Sequence, residues 1–344
     1  MFFKRGSDVL HRATLMQTAK ASAQRGSMDL YARVTDLIVA ELEKGRVPWR
    51  KRWGFLEDGR VEVAQNYVSK RPYTGINSVL LGCAGSPDRP YERPYFLTFK
   101  QATELGGNIR KGAKGNLVVF WNVLEKEKDP ERRPETNRKG ETQTKKVGVP
   151  LLRHYFVFNV ADVEGITIEL PRLLPQEAIT EAHRIEACEA VYANYAGAPD
   201  IIHRDPARAY YSPLFDFVNM PRPSAFDCPE AYYLVLFHEL IHSTGHQDRL
   251  NREEVVHTDG IGGELYAKEE LTAEIGACYL SSSCGIDLTE KRLLKNSAAY
   301  LQSWLFKLKN DKTLIFRASG QAQKAAMYIL EGIHEEVEPE AIAA

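Results

Sequence analysis

Hydrophobic and polar positions divide the chain into two differently patterned halves. Between Asp29 and Gly45 the apolar residues Leu30, Val34, Leu37, Ile38 and Leu42 recur at three- and four-residue steps. That period predicts an amphipathic helix with Asp29 as N-cap and Gly45 as stop, and Pro48 keeps it from continuing. "NYVSKRPYTGINSVLLGCAG" reads as a turn entering a short apolar helix, and "PYFLTFKQATELGG" as a strand followed by a helix that stops at Gly106 and Gly107. "NIRKGAKGNLVVFW" predicts a glycine-punctuated turn feeding a strand, and "VPLLRHYFVFNV" a second strand. The charged stretch between them, residues 125–148, has almost nothing to bury and is expected to be a mobile insert.

Beyond Pro171 and Pro175, which mark a linker, the pattern becomes mainly helical. "AITEAHRIEACEAVYANYAG", "CPEAYYLVLFHELIHSTGH", "YAKEELTAEIGACYLSSSCG", "LKNSAAYLQSWLFKLKND" and "ASGQAQKAAMYILEGIHEE" each predict a helix. Pro229 suits the first turn of the second of these. "IIHRD", "RAYYS" and "DFVNMP" predict three short strands of one small sheet. The expected class is α+β with two domains. A small basic α/β domain spans 28–170 and a mainly helical domain with a small sheet spans 175–335, after a flexible extension at 1–27.

Composition adds a charge asymmetry. The net charge is −1, yet residues 1–170 carry 29 Lys+Arg against 20 Asp+Glu, and the remainder carries 16 against 26. A basic half of +9 beside an acidic half of −10 suggests that the first half meets an anionic partner. Five cysteines without a CxxC pattern suit reduced thiols in a cytoplasm. No run of about 18 apolar residues is present, which argues against a membrane-spanning helix. The first residues have no long apolar core of a signal peptide.

The sharpest chemical signal is His238-Glu239-x-x-His242 inside the apolar run "YYLVLFHELIH". On a helix, positions i and i+4 share a face, so two imidazoles converge on one divalent metal, zinc being the first choice. Glu239 then leans toward an open coordination position, where a carboxylate can take a proton from water. A catalytic site of this type needs a third protein ligand, and three candidates stand. His246 lies four residues past His242, but Gly245 is a stop signal between them. Asp248 completes an HExxHxxGxxD spacing that calls for a later methionine turn, and only Met327 lies downstream. Glu270, on the following helix, is favoured, because a ligand glutamate on a second helix is the gluzincin arrangement. Glu274, one turn on, is expected to hydrogen-bond a ligand histidine.

Several long motifs in one order resemble the ArdC antirestriction family: "DLYARVTDLIVAELEKGRVPWRKRW", "RPYTGIN", "YFLTFKQATELGGNIRKGAKGNLVVFW", "VFNVADVEG", "HELIHSTGH" with "RLNR", and "YAKEELTAEIGA". The N-terminal half is also similar to the leader region of TraC-type plasmid primases. The resemblance runs in pieces from Asp29 to Ser283. It implies a single-stranded-DNA-binding N-terminal domain and a zincin-like metallopeptidase domain. It also implies His238, His242 and Glu270 as ligands, Glu239 as general base, and protection of incoming plasmid or phage DNA from type I restriction. A type I restriction enzyme is then a possible second partner.

A sequence-nonspecific single-strand binder needs cations along the backbone and flat rings for bases. "VPWRKRWG" offers Trp49, Arg50, Lys51, Arg52 and Trp53, with one of the two tryptophans expected to stack. "SKRPY" adds Lys70, Arg71 and Tyr73, and "NIRKGAKGN" adds Arg110, Lys111 and Lys114 on a glycine-rich turn; Lys100 and Trp121 are weaker candidates. Two other functions fit the same residues. One is a DNA-associated zinc metallopeptidase that cleaves a protein partner, the other a binding protein whose metal is non-hydrolytic. No polymerase or nucleotide-binding motif accompanies the primase-like resemblance.

Overall fold

The structure, a computed structural model, describes residues 29–51, 53–85, 89–126, 147–175, 180–257, 264–290, 293 and 297–331. The expected extension at 1–27 and the insert at 125–148 lie outside these residues, apart from the insert's ends, which continue two strands.

Helix α1 (29–43) buries Leu30, Val34, Ile38 and Leu42, the face its period predicts. After a 3-10 turn at Pro48–Arg50 come β1 (Gln65–Asn66), α2 (Ile76–Gly82), β2 (Tyr95–Leu97) and α3 (Phe99–Glu104). The start of α3 is set by a capping box, in which Thr98 accepts from the Gln101 amide and the Gln101 side chain accepts from the Thr98 amide. Then follow β3 (Asn108–Ile109), β4 (Asn116–Lys126), β5 (Val147–Asn159) and β6 (Val163–Glu164). Strands β1, β2, β5 and β4 form one sheet in that order, and β3 pairs antiparallel with β6. Tyr95, Leu97, Ala102 and Val160 form the core between β2 and α3.

The second half holds α4 (Glu181–Asn194), β7 (Asp200–Ile202), β8 (Tyr210–Ser212), β9 (Phe217–Asn219), α5 (Pro229–Ser243), α6 (Glu253–Val256), α7 (Glu264–Ser283), α8 (Ser297–Asn310) and α9 (Leu314–Glu331). The three short strands make the expected sheet in the order β7-β9-β8, which leaves β8 at an edge. Helix α7 packs on both α5 and α9. The buried face of α9 is lined by Ala318, Ala322, Ala325 and Ala326, small residues that let the two helices approach closely. No helix among the described residues is long and apolar enough to cross a membrane.

Two compact units divide the chain. The smaller is Met1–Val34, Val119–Tyr155 and Val337–Ala344, and the larger is Thr35–Val118 with Phe156–Glu336. The larger unit therefore crosses the expected linker. Pro171–Pro175 is no free tether: Arg172 O accepts from Glu57 N and Leu174 N donates to Phe55 O. From the same half, α2 reaches the late helices, with Ser78 Oγ 2.9 Å from Tyr279 Oη.

Candidate metal centre

Helix α5 places His238 and His242 one turn apart with their Nε2 atoms 3.1 Å from each other. Helix α7 brings Glu270 to the same point. Its Oε2 lies 3.5 Å from His238 Nε2 and its Oε1 3.4 Å from His242 Nε2. One ligand atom from each of the three falls within 4.8 Å of the others, which makes them the metal-competent group among the described residues. The approach of α7 to α5 depends on Gly276. A Cβ there would sit 2.7 Å from Ile241 Cδ1, inside a fully buried contact. Gly276→Ala is expected to cost about 1–3 kcal/mol of stability and to weaken divalent-ion binding, measured by thermal melting and by titration with Mn(II).

Glu269, beside Glu270, has a role that was assigned to Glu274 on sequence grounds. Its Oε1 lies 3.2 Å from His242 Nδ1, and Arg252 donates to it from Nε at 3.1 Å and from Nη2 at 2.5 Å. Arg252 is itself held by Thr244 Oγ1 and Ile241 O. A proton kept on His242 Nδ1 by Glu269 leaves Nε2 as a lone pair aimed at the metal position. Two such lone pairs and a carboxylate at this spacing repel one another unless a cation or protons lie between them. The donor set therefore fits a divalent ion.

The proton affinities record the same demand. Burial works to lower the His242 pKa, but Glu269 and Glu270 outweigh it and push it up to about 10. Burial likewise opposes protonation of His238, and Glu270 more than offsets it. For Glu270, burial favours the neutral acid, yet the two histidines hold its carboxyl well below the usual range. Buried Glu269 is also held low, chiefly by Arg252 against the effect of burial.

Glu239 is buried next to His238, and its Oε2 accepts the Tyr211 amide of β8 at 2.8 Å. The candidate base is thereby tied to the edge strand of the small sheet. Tyr211 was not legible as a site residue, because its contribution is a backbone N–H.

Two alternatives drop out and one sequence expectation changes. His246 and Asp248 do not join the metal group. The chain turns back after α5, with Gly245 N donating to His242 O, and His246 Nδ1 then accepts from the Asp248 amide at 3.3 Å. Glu274 does not meet a ligand histidine, since its Oε1 accepts from Arg50 Nε and Nη2 at 3.2 and 2.7 Å. A buried guanidinium needs a carboxylate, and the pair removes Arg50 from the DNA-facing candidates at the same time.

Other nucleic-acid candidates are redistributed by burial. Trp49 packs edge-on against Trp304 at 5.3 Å inside the core, and Tyr73 is buried. Arg110 is engaged by Asp162. Lys51 donates to Ala84 O and lies 4.2 Å over the half-buried Trp53 ring, where burial lowers its pKa to about 8. Arg52 lies outside the described residues. Lys70, Arg71, Lys111 and Lys114 are exposed.

Comparison with known proteins places this geometry. Residues 28–158 match the family of the N-terminal domain of anti-restriction factor ArdC, and residues 186–321 match the zincin-like metallopeptidase family. Crystal structures of the antirestriction ArdC protein from plasmid R388 are similar along most of the chain. The metal-free form is 34% identical with a TM-score of 0.64, and the Mn(II)-bound form 35% identical with a TM-score of 0.66. Each comparison covers 88% of this chain and 97% of the other. Two proteins named DNA primase TraC from Escherichia coli are each 32% identical over 86% and 87% of this chain. The chain spans only 19% and 27% of their own lengths. Protein y4eC of Sinorhizobium fredii is 32% identical and is covered over 90% of its length. With a resolved ArdC N-terminal match, a zincin-like match and near-complete coverage of ArdC structures, the chain belongs to the ArdC antirestriction family.

Proposed function

We propose that the chain protects plasmid or phage DNA entering a cell from type I restriction by binding single-stranded DNA without sequence preference in the cytoplasm, and that its metal centre is competent for peptide hydrolysis. The convergence of His238, His242 and Glu270 beside Glu239 carries the second part. The exposed cations of the basic half and membership of the ArdC family support the first.

His238, His242 and Glu270 would hold a divalent metal, zinc in this reading, which supplies Lewis-acid polarisation of a peptide carbonyl. Glu239 takes the proton of the attacking water and returns it to the leaving nitrogen, while the Tyr211 amide fixes its carboxylate. Glu269 and Arg252 hold the His242 ring in one orientation. Edge strand β8, one hydrogen bond from Glu239, offers backbone groups along which an extended peptide can lie.

Glu239→Gln separates the two activities. It is expected to keep the bound metal and to lower peptide hydrolysis by about 10²–10⁴-fold. Strand occupancy is the route to protection in this reading, so the variant should still protect unmodified plasmid in a restricting host. Loss of protection with metal and DNA binding intact would make proteolysis of a protein partner the route instead.

A further inference from the structure

With Trp49 and Tyr73 in the core, the larger unit still needs flat surfaces if bases are to stack on it. One end of the four-stranded sheet supplies them. Strands β2 and β5 pair with Phe96 opposite Asn159 and Leu97 opposite Phe158. β2 ends at that last pair; Phe99 lies two residues beyond Leu97 and Phe156 two residues before Phe158, so the antiparallel pairing puts both toward the same end of the sheet. Phe99, the first residue of α3, is 62% exposed, and Phe156 is 41% exposed. Two exposed aromatic positions therefore stand at the end of the sheet where β2 gives way to α3.

Cations flank this pair on both sides. Toward β4, Lys114 is exposed and is followed by Gly115, whose backbone lies against Phe156. A Cβ on Gly115 would come within 2.9 Å of Phe156 Cβ, so the glycine lets the strand and the aromatic side chain meet. Toward β1, Lys100 follows Phe99. The Asn66 and Gln101 side chains join the β1 turn to α3 at 3.0 and 3.3 Å. That turn carries Lys70, held at φ 60° with its ammonium 4.2 Å over the Tyr67 ring. The nearest acids only partly offset these charges. Glu104 meets Lys100 at 4.0 Å with both side chains exposed, and Glu169 is joined to Tyr67 Oη through its amide.

We propose that this stripe, from Lys70 and Tyr67 through Phe99, Lys100 and Phe156 to Lys114, is the path of single-stranded nucleic acid on the chain. The proposal rests on the reading that the chain binds single-stranded DNA, and it assigns the stacking surface to Phe99 and Phe156 in place of Trp49 and Trp53. Exposed rings accept any base, and the cations on each side follow the phosphates, which gives affinity without sequence preference.

The test is fluorescence anisotropy of the full chain with a labelled oligo-thymidine and with an abasic oligomer of equal length and charge. Phe99→Ala and Phe156→Ala are each expected to weaken oligo-thymidine binding about tenfold and to leave abasic binding nearly unchanged. Lys70→Ala with Lys114→Ala should weaken both oligomers and reduce the slope of log affinity against log salt by about 1.4, two phosphate contacts' worth. Phe99 is so exposed that its replacement leaves the fold intact, which keeps the test valid if the Phe156 variant misfolds. If the wild type binds oligo-thymidine and both phenylalanine variants bind it equally well, the strand runs elsewhere and the stripe is overturned, while single-strand binding stands. If the wild type binds neither oligomer, the single-strand reading falls and the stripe with it.

Discussion

Arg50→Ala lowers the stability of the chain by about 3 kcal/mol or more, read as a shift in the urea or thermal midpoint. The side chains of Arg50 and Glu274 are only 9% and 16% exposed. Burial works to lower the Arg50 pKa, but Glu274 outweighs it, so the guanidinium is held charged. Removing one partner leaves the other charge inside without compensation, and that penalty exceeds the net worth of the intact pair. The double variant Arg50→Met with Glu274→Leu is therefore expected to recover most of the loss. An Arg50→Ala chain that melts like the wild type would mean that water reaches Glu274 freely and the bridge adds nothing. The consequence reaches the domain scheme. Arg50 lies in the segment matched to the ArdC N-terminal domain and Glu274 in the segment matched to the metallopeptidase. Trp49 packs on Trp304 across the same division. The metallopeptidase segment expressed alone would expose both faces and is expected to fold poorly.

How much of this was legible in the sequence depends on what each residue's partner is. Helix α1, the β2–α3 unit and the three strands of the small sheet follow from local periodicity and stop residues, and they appear where those signals put them. His238 and His242 converge because helical geometry alone sets an i, i+4 pair. The exchange of Glu269 for Glu274 was not legible. Residues five apart on a helix point about 140° apart, so which of them faces α5 depends on the roll of α7, and that is set by contacts such as Gly276 on Ile241. In the same way "PWRKRW" reads as a cationic, aromatic surface strip. Trp49 and Arg50 are taken inward by Trp304 and Glu274, which lie more than 200 residues later. Phe99 carried no signal of its own: its exposure comes from the chain turning into α3 just after β2.

The stabilisation of the chain by a divalent ion is expected to grow with pH, by about 1.4 kcal/mol per pH unit for each proton the ion displaces. The sign follows from His242. Its pKa is about 10 in the fold, against 6.5 as the reference value. The protonated ring therefore contributes stability that is fully present below about pH 6.5 and is lost progressively toward pH 10. Metal-free protein should weaken across that window. An ion needs the Nε2 lone pairs of His238 and His242, and the carboxylates that complete the site raise the proton affinity of both rings. Each rise in pH removes part of that competition. Between pH 6.5 and 8.5 the gap in unfolding free energy between Mn(II)-loaded and EDTA-treated protein should widen by about 3 kcal/mol if one proton is displaced. Glu269→Gln keeps all three ligands but removes the carboxylate charge that faces His242 Nδ1, and it should weaken ion binding about 10–100-fold. Glu270→Gln removes a ligand and should close the gap nearly completely at every pH. A gap that stays flat with pH in the wild type would show that no buried imidazole gives up a proton to the ion, and His242 could not then be both the protonated group of the free site and a ligand of the filled one.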